Sequence, residues 1–277
     1  MFTLNCKGRL LVIDTPIVMG IINTTPDSFF AGSRKVSADA IIKQAAAMLE
    51  EGAAIIDIGG QSTRPGSLAI SEEEELSRVI SGIEAIHQRF PECIISVDTY
   101  YARVAKEAIE AGASMVNDIS AGSLDPGMIQ TVASLQVPYV LMHMQGTPQT
   151  MQQAPHYGNV TREVLDFFSN KLAALRQAGI ADIIIDPGFG FGKTHDHNFQ
   201  LLNELPVFSM LEKPLLIGLS RKGTIYKTLN TTAERSLNGT TVLNTIALMK
   251  GANILRVHDV RAAAEAITLV QSTQQIV

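Results

Sequence analysis

A single (β/α)8 barrel is the fold that this α/β sequence predicts, and three observations carry the prediction. Short apolar runs rich in Val and Ile recur between longer stretches of helical period, and eight of them can be counted. Three helical stretches close on a glycine just before the next run, at 52, 112 and 179, where a helix C-terminus favours that residue. Seven of the runs finish on or near a polar or charged residue, as strands do where they meet at the C-terminal face of such a barrel.

The runs are PIVMGIIN (16–23), AIIDIGG (54–60), CIISVD (93–98), SMVND (114–118), PYVLMHM (138–144), IIIDP (183–187), PLLIGLS (214–220) and NILRVH (253–258). Between them lie helical stretches such as SADAIIKQAAAMLEEGA, VAKEAIEAGA and VLDFFSNKLAALRQAGI. Residues from about 2 to 14 have no helix after them and predict a β-hairpin across the bottom of the TIM barrel. In SEEEELSR (71–78), Ser71 with Glu74 three residues on marks a helix start, and the acidic run reads as a solvated face.

The length of 277 residues suits one domain of this class spanning 1–277, and 46% hydrophobic against 18% charged residues supplies a large core. A net charge of -5 argues against a nucleic-acid surface. No apolar run reaches membrane-spanning length, the N-terminus lacks the pattern of a secretory leader, and Cys6 and Cys93 have no partners at metal-ligand spacing. A cytoplasmic protein is expected.

The strand ends are lopsided in charge. SRKG (220–223) and RVHD (256–259) place Arg221, Lys222, Arg256 and His258 after the seventh and eighth runs, the usual phosphate region of the fold, with Ser220 as a further donor. Opposite them Asp98, Asn117 and Asp186 offer acceptors and one amide, a set that suits a flat heterocycle with an amino-pyrimidinone edge. A turn cap is the alternative for Asn117. In DPGFGFGK (186–193), Gly188, Gly190 and Gly192 would let the backbone pass close to a ligand, Phe189 and Phe191 would wall its pocket, and Lys193 reads as a solvated loop residue. NTTPDSFFAGSRK (23–35) and GGQSTRPGSLAIS (59–71) read as lids over the mouth. The carbonyl of Asn23 suits Mg²⁺, which keeps most of its waters and few protein ligands; a turn-forming Asn is the alternative.

MGIINTTPDSF, IIDIGGQSTRPG, ISVDT, NDI, LMHMQGTPQTMQ, DPGFGFGK, GLSRKG and ILRVHDV, in that order over nearly the whole chain, resemble dihydropteroate synthase, the pterin-binding barrel of folate synthesis. The resemblance implies condensation of 4-aminobenzoate with (7,8-dihydropterin-6-yl)methyl diphosphate, Mg²⁺ assistance and a homodimer. It assigns Asn23 to the metal, and Asp98, Asn117, Asp186 and Lys222 to the pterin. Thr63, Arg256 and His258 fall at the diphosphate, while Phe29, Arg64, Pro65, Phe191 and Ser220 fall where aminobenzoate docks and sulfonamides compete. Asp98, Lys222, Arg256 and His258 are the residues expected to act on the reacting atoms. Two positions depart from the family pattern: Gln61 stands where Glu is more usual, and Phe30 where a small polar residue is. A pterin-binding methyltransferase module has no diphosphate to hold, so the STRPG loop and the SRK cluster tell against it. A catalytically silent barrel need not keep Asn23, Lys222, Arg256 and His258, and the HDH at 195–197 reads as a helix start rather than a hydrolase metal site.

Overall fold

A computed structural model describes residues 1–24, 34–61 and 69–274, with the backbone alone at 34–37. Strands β1 (Phe2–Cys6) and β2 (Arg9–Ile13) form the expected antiparallel hairpin, Phe2 facing Ile13 and Cys6 facing Arg9. Its two turn residues, Lys7 and Gly8, both have positive φ, the geometry whose twist matches that of the strands.

Eight parallel strands follow: β3 (Ile17–Asn23), β4 (Ala53–Gly59), β5 (Ile94–Asp98), β6 (Met115–Asp118), β7 (Tyr139–Met142), β8 (Ile183–Asp186), β9 (Leu216–Ile217) and β10 (Ile254–Val257). Their order is β8-β7-β6-β5-β4-β3-β10-β9, and a single bridge between Ile185 and Leu215 brings the two ends of the sheet together into a TIM barrel. Helices α1 (Arg34–Glu50), α2 (Glu72–Arg89), α3 (Ala102–Ala111), α4 (Met128–Leu135), α5 (Val160–Gln177) and α6 (His195–Asn203) each follow one strand. A 3-10 helix (Leu205–Leu211) leads into β9, which is followed by α7 (Gly223–Thr228) and α8 (Leu237–Met249); α9 (Val260–Gln274) follows β10. Among the described residues no helix is long and apolar enough to cross a membrane.

The seventh run forms the shortest strand, two residues against seven in PLLIGLS. Pro214 has no N–H to give a ladder, and its carbonyl accepts the Ile185 N–H at 3.0 Å. Beyond Ile217 the chain turns away through Gly218 towards Arg221, whose φ is +54°. The barrel is thinnest where β8 meets β9.

Strand alternation divides the core in two. One face of each strand packs against the helices, Ile56, Ile95, Val116 and Leu255 meeting Ile83, Val104 and Val260 there. The other face fills the barrel, each strand giving one apolar side chain to a layer: Met19, Ile55, Ile94, Met115, Val140, Ile184, Leu216 and Ile254. Leu4, Cys6, Leu11 and Ile13 of the hairpin close this layer from below. The hairpin is tied there by the Asn5 N–H to Asp182 (2.8 Å) and the Lys7 ammonium to the Ile109 carbonyl (2.6 Å).

Ser71 caps α2 as expected, accepting the Glu74 N–H at 3.2 Å. The acidic run is not wholly solvated, however. Helical spacing turns Glu75 inward, where it is 1% exposed behind Gly60. Burial is the main cause that pushes its carboxyl up to about 7.

Candidate active site

Two residues beyond the apolar layer, each strand again points into the barrel, and the chemistry changes. Asp57, Ser96, Asn117, Asp186 and Arg256 stand at those positions on β4, β5, β6, β8 and β10, with Ile21, Met142 and Gly218 on the others. One more alternation brings Asn23 and Asp98 to the rim. The polar layer is therefore dictated by register: its residues are buried because the strands are.

Arg256 organises this layer. Its Nε donates to Asp57 Oδ2 at 2.6 Å and its Nη2 to Asp98 Oδ2 at 2.5 Å, while Asn117 Nδ2 donates to the same Asp57 oxygen at 3.0 Å. Asp57 is fully buried, and its Oδ1 has no hydrogen-bond partner among the described residues. Burial alone would lower the guanidinium pKa, but Asp57 and Asp98 outweigh it and the net shift is upward. Asp98 is raised by burial, with Arg256 opposing and Asp57 adding. Two carboxylates this close are tolerated because one cation lies between them.

Lys222 forms the other edge. Its ammonium donates to the Phe189 carbonyl at 2.6 Å and lies 4.6 Å from the centre of the Phe191 ring. Burial lowers its pKa to about 8, Arg256 contributing in the same direction and Asp186 and Asp98 opposing. Asp186 accepts the Gly188 N–H at 2.8 Å, and burial pushes its carboxyl up against the pull of Lys222. Beside them Ser220 Oγ lies 3.0 Å from His258 Nδ1 and accepts the His258 N–H at 3.2 Å.

The structure thus brings together Asp98, Asn117, Asp186, Lys222 and Arg256, with Phe191 beneath Lys222 and Ser220 bonded to His258. Asn23 lies half-buried at the end of β3. Phe29, Phe30, Thr63, Arg64 and Pro65 lie outside the described residues, as do most of both expected lids.

Four expectations are corrected. Arg256 is not across the mouth from the acidic residues; it sits among them. Arg221 does not join the cation cluster: its guanidinium grips Asp259 through two bonds of 2.8 Å and the Ala233 and Glu234 carbonyls, so its charge is spent on holding loops. Phe189 is fully buried in the outer core and walls nothing, whereas the Phe191 ring lies against the Lys222 ammonium. Lys193 is 2% exposed rather than solvated.

The glycines of DPGFGFGK also have a nearer reason than a ligand. A Cβ on Gly188 would lie 1.9 Å from the His143 carbonyl oxygen, and one on Gly192 2.4 Å from that of Gln145, so backbone packs on backbone there. Both residues have positive φ. Thr194 caps the helix that follows, His197 completing the capping box, which accounts for the HDH stretch.

Asp57 was missed by sequence reasoning. It lies inside the apolar run AIIDIGG, where only the closing glycines stand out by composition. Counting back by two from Gly59 along the strand is the signal that would have found it.

The profile of the family described as pterin binding enzyme matches residues 19–258. The Escherichia coli dihydropteroate synthase is 47% identical over 269 residues, 96% of this chain and 95% of that protein. Among solved structures, the Yersinia pestis dihydropteroate synthase with a sulfonamide drug superposes with a TM-score of 0.93 at 42% identity, covering 99% of this chain and 100% of that one. The Xanthomonas albilineans dihydropteroate synthase in complex with 7,8-dihydropteroate does so with a TM-score of 0.88 at 41% identity, covering 98% of each chain. With a family match that runs from β3 through β10 and relatives above 40% identical over nearly the whole chain, the chain belongs to the pterin binding enzyme family, among its dihydropteroate synthases.

Proposed function

We propose that this chain joins 4-aminobenzoate to (7,8-dihydropterin-6-yl)methyl diphosphate through an SN1-like step. The methylene C–O bond breaks with its electron pair leaving on diphosphate. The arylamine nitrogen then forms the new C–N bond to the methylene and gives up a proton, yielding 7,8-dihydropteroate. The observation that carries this reading is the juxtaposition of a buried acid and amide layer, Asp98, Asn117 and Asp186, with Lys222, Arg256 and the Ser220–His258 pair. Carboxylates beside the pterin stabilise positive charge developing on its methylene, and the cations stabilise negative charge on the leaving group. No general base is assigned.

In this reading Asp98, Asn117, Asp186 and Lys222 hold the pterin. Thr63, Arg256 and His258 meet the diphosphate, and Phe29, Arg64, Pro65, Phe191 and Ser220 receive aminobenzoate. Arg256 links the two ends, since its Nε and Nη2 are committed to Asp57 and Asp98 while Nη1 takes no part in those ion pairs.

Among the described residues no three His, Cys, Asp or Glu side chains gather to hold a metal. Mg²⁺ carried in on the diphosphate suits this donor set, with the Asn23 amide oxygen as one protein ligand. Bound there, it would neutralise the leaving group.

The family's homodimer is part of the same proposal. Helix α8, LNGTTVLNTIALM, carries no charge and exposes Val242 and Met249 on one side, which a second copy would cover. Equilibrium sedimentation would show a single 29.9 kDa species if this were wrong. The free thiols of Cys6 and Cys93 suit a cytoplasmic setting.

The deciding assay is diphosphate release from the pterin diphosphate with Mg²⁺, with and without 4-aminobenzoate, then with a sulfonamide. Release that depends on aminobenzoate and is blocked by the sulfonamide is expected; pterin binding without release would contradict the reading.

A further inference from the structure

Lys193 takes no part in the reaction as described, yet it is among the most deeply buried cations of the chain. Its ammonium, whose pKa burial lowers to about 7 against the pull of Asp186, lies near His143 Nδ1 at 2.9 Å, the Gly188 carbonyl at 3.0 Å and the Phe191 carbonyl at 3.1 Å, with the His143 carbonyl farther off at 3.5 Å. For Nδ1 to accept, the imidazole must be neutral with its proton on Nε2. Burial, with Lys193 adding to it, holds His143 in that neutral state by lowering its pKa to about 2.

The two carbonyls belong to a stretch in which every carbonyl from Gly188 to Gly192 is taken by a side chain. Lys193 takes Gly188 and Phe191, Lys222 takes Phe189, Gln152 takes Gly190 and Tyr157 takes Gly192. Three positive-φ glycines in five residues give the stretch little conformational preference of its own, so these bonds define its path. The two groups that hold Lys222, the Phe189 carbonyl and the Phe191 ring, lie between or on the residues that Lys193 fixes. The stretch also begins at Gly188, whose N–H is bonded to Asp186.

We propose that Lys193 is a positioning residue for the pterin site: by pinning the Gly188 and Phe191 carbonyls to the His143 ring, it sets the carbonyl and the aromatic face against which Lys222 is held. The proposal rests on the functional reading above. It does not have Lys193 touch substrate.

The test compares wild type, Lys193→Met and Tyr157→Phe. Methionine keeps the length and apolar stem of lysine but donates nothing, while Tyr157→Phe frees a carbonyl of the same stretch that Lys222 does not use. In Lys193→Met, KM for the pterin diphosphate should rise about tenfold or more, with a smaller fall in kcat at saturating pterin, because a displacement of under an ångström already matters at such a site. Tyr157→Phe should lower the melting temperature and leave KM alone. A merely structural role would reduce the folded fraction, lowering kcat with KM unchanged, and that result for Lys193→Met overturns the proposal. If Lys193→Met does not fold, His143→Leu, which removes one acceptor and keeps both carbonyls, should raise the same KM by a smaller factor; an unchanged KM overturns the proposal again. Titration calorimetry of wild type with a non-reacting pterin separates the two levels. Wild type that binds no pterin sinks the functional reading and this inference with it, whereas wild-type binding with unaltered variants sinks the inference alone.

Discussion

The two ends of the barrel are built from the same strands, two residues apart, and obey opposite rules. At the bottom, Ile55, Ile94, Ile184 and their neighbours fill the interior with apolar volume and the hairpin covers them. At the top, Asp57, Asp98, Asp186, Lys222 and Arg256 are crowded where burial works against almost every charge they carry. The lower layer stabilises the fold by removing apolar surface from water. The upper layer costs stability and keeps fixed charges aimed at a ligand, the arrangement that electrostatic catalysis requires. One architecture carries both because alternation separates them cleanly.

If that division is real, variants at the top should change chemistry without loss of fold, and variants at the bottom the reverse. The largest effect expected is from Lys222→Ala: turnover of the pterin diphosphate should fall about 100-fold or more. The melting temperature should fall far less than the turnover, since losing a cation that burial disfavours partly offsets the Phe189 carbonyl and the Asp186 carboxylate it leaves unpaired. Unchanged kinetics would take Lys222 out of the site. Asp186→Asn comes next, with pterin affinity by calorimetry reduced about 10- to 100-fold, as for loss of charged hydrogen bonds. Wild-type affinity in that variant would refute the pocket assignment.

Ile55→Ala tests the bottom. Denaturant unfolding should show a loss of about 2–5 kcal/mol, while kcat and KM per folded molecule stay at wild-type values. A shifted KM would mean that the layers are mechanically coupled.

Glu75→Gln sharpens the comparison at the margin of the site, with the smallest effect. Its folded pKa of about 7 lies above the ordinary 4.5, so its contribution to stability is full below about 4.5 and is lost as pH rises through about 7. The variant should be more stable than wild type at pH 8, on the order of 1 kcal/mol, and should lose that part of the pH dependence. Identical stability profiles for the two proteins would show that Glu75 ionises freely.

Much of this was legible in the sequence, and the exceptions have physical causes. The eight runs and the hairpin could be read because a two-residue period and a helical period are properties of the chain itself. Asp98, Asn117 and Asp186 could be read because each ends or nearly ends its run. Asp57 could not be noticed that way, since it is enclosed by isoleucines and only register reveals which way it faces. Arg221 and Lys222 are adjacent and alike in sequence, yet the left-handed backbone at Arg221 directs one to Asp259 and the other to Phe189. Lys193 followed a glycine-rich loop, which suggests solvent; that five carbonyls needed donors there is a fact of the folded path alone.

The alternation of the two layers also bears on how such a chain can drift over generations. A substitution at one inward position alters one layer and leaves the other standing. Deleting or inserting a single residue within β4 or β8 would instead exchange inside for outside, moving Asp57 or Asp186 against the helices and the outer isoleucines into the mouth. Length is thus far more constrained in these strands than composition, and changes of length should collect in the connections between them.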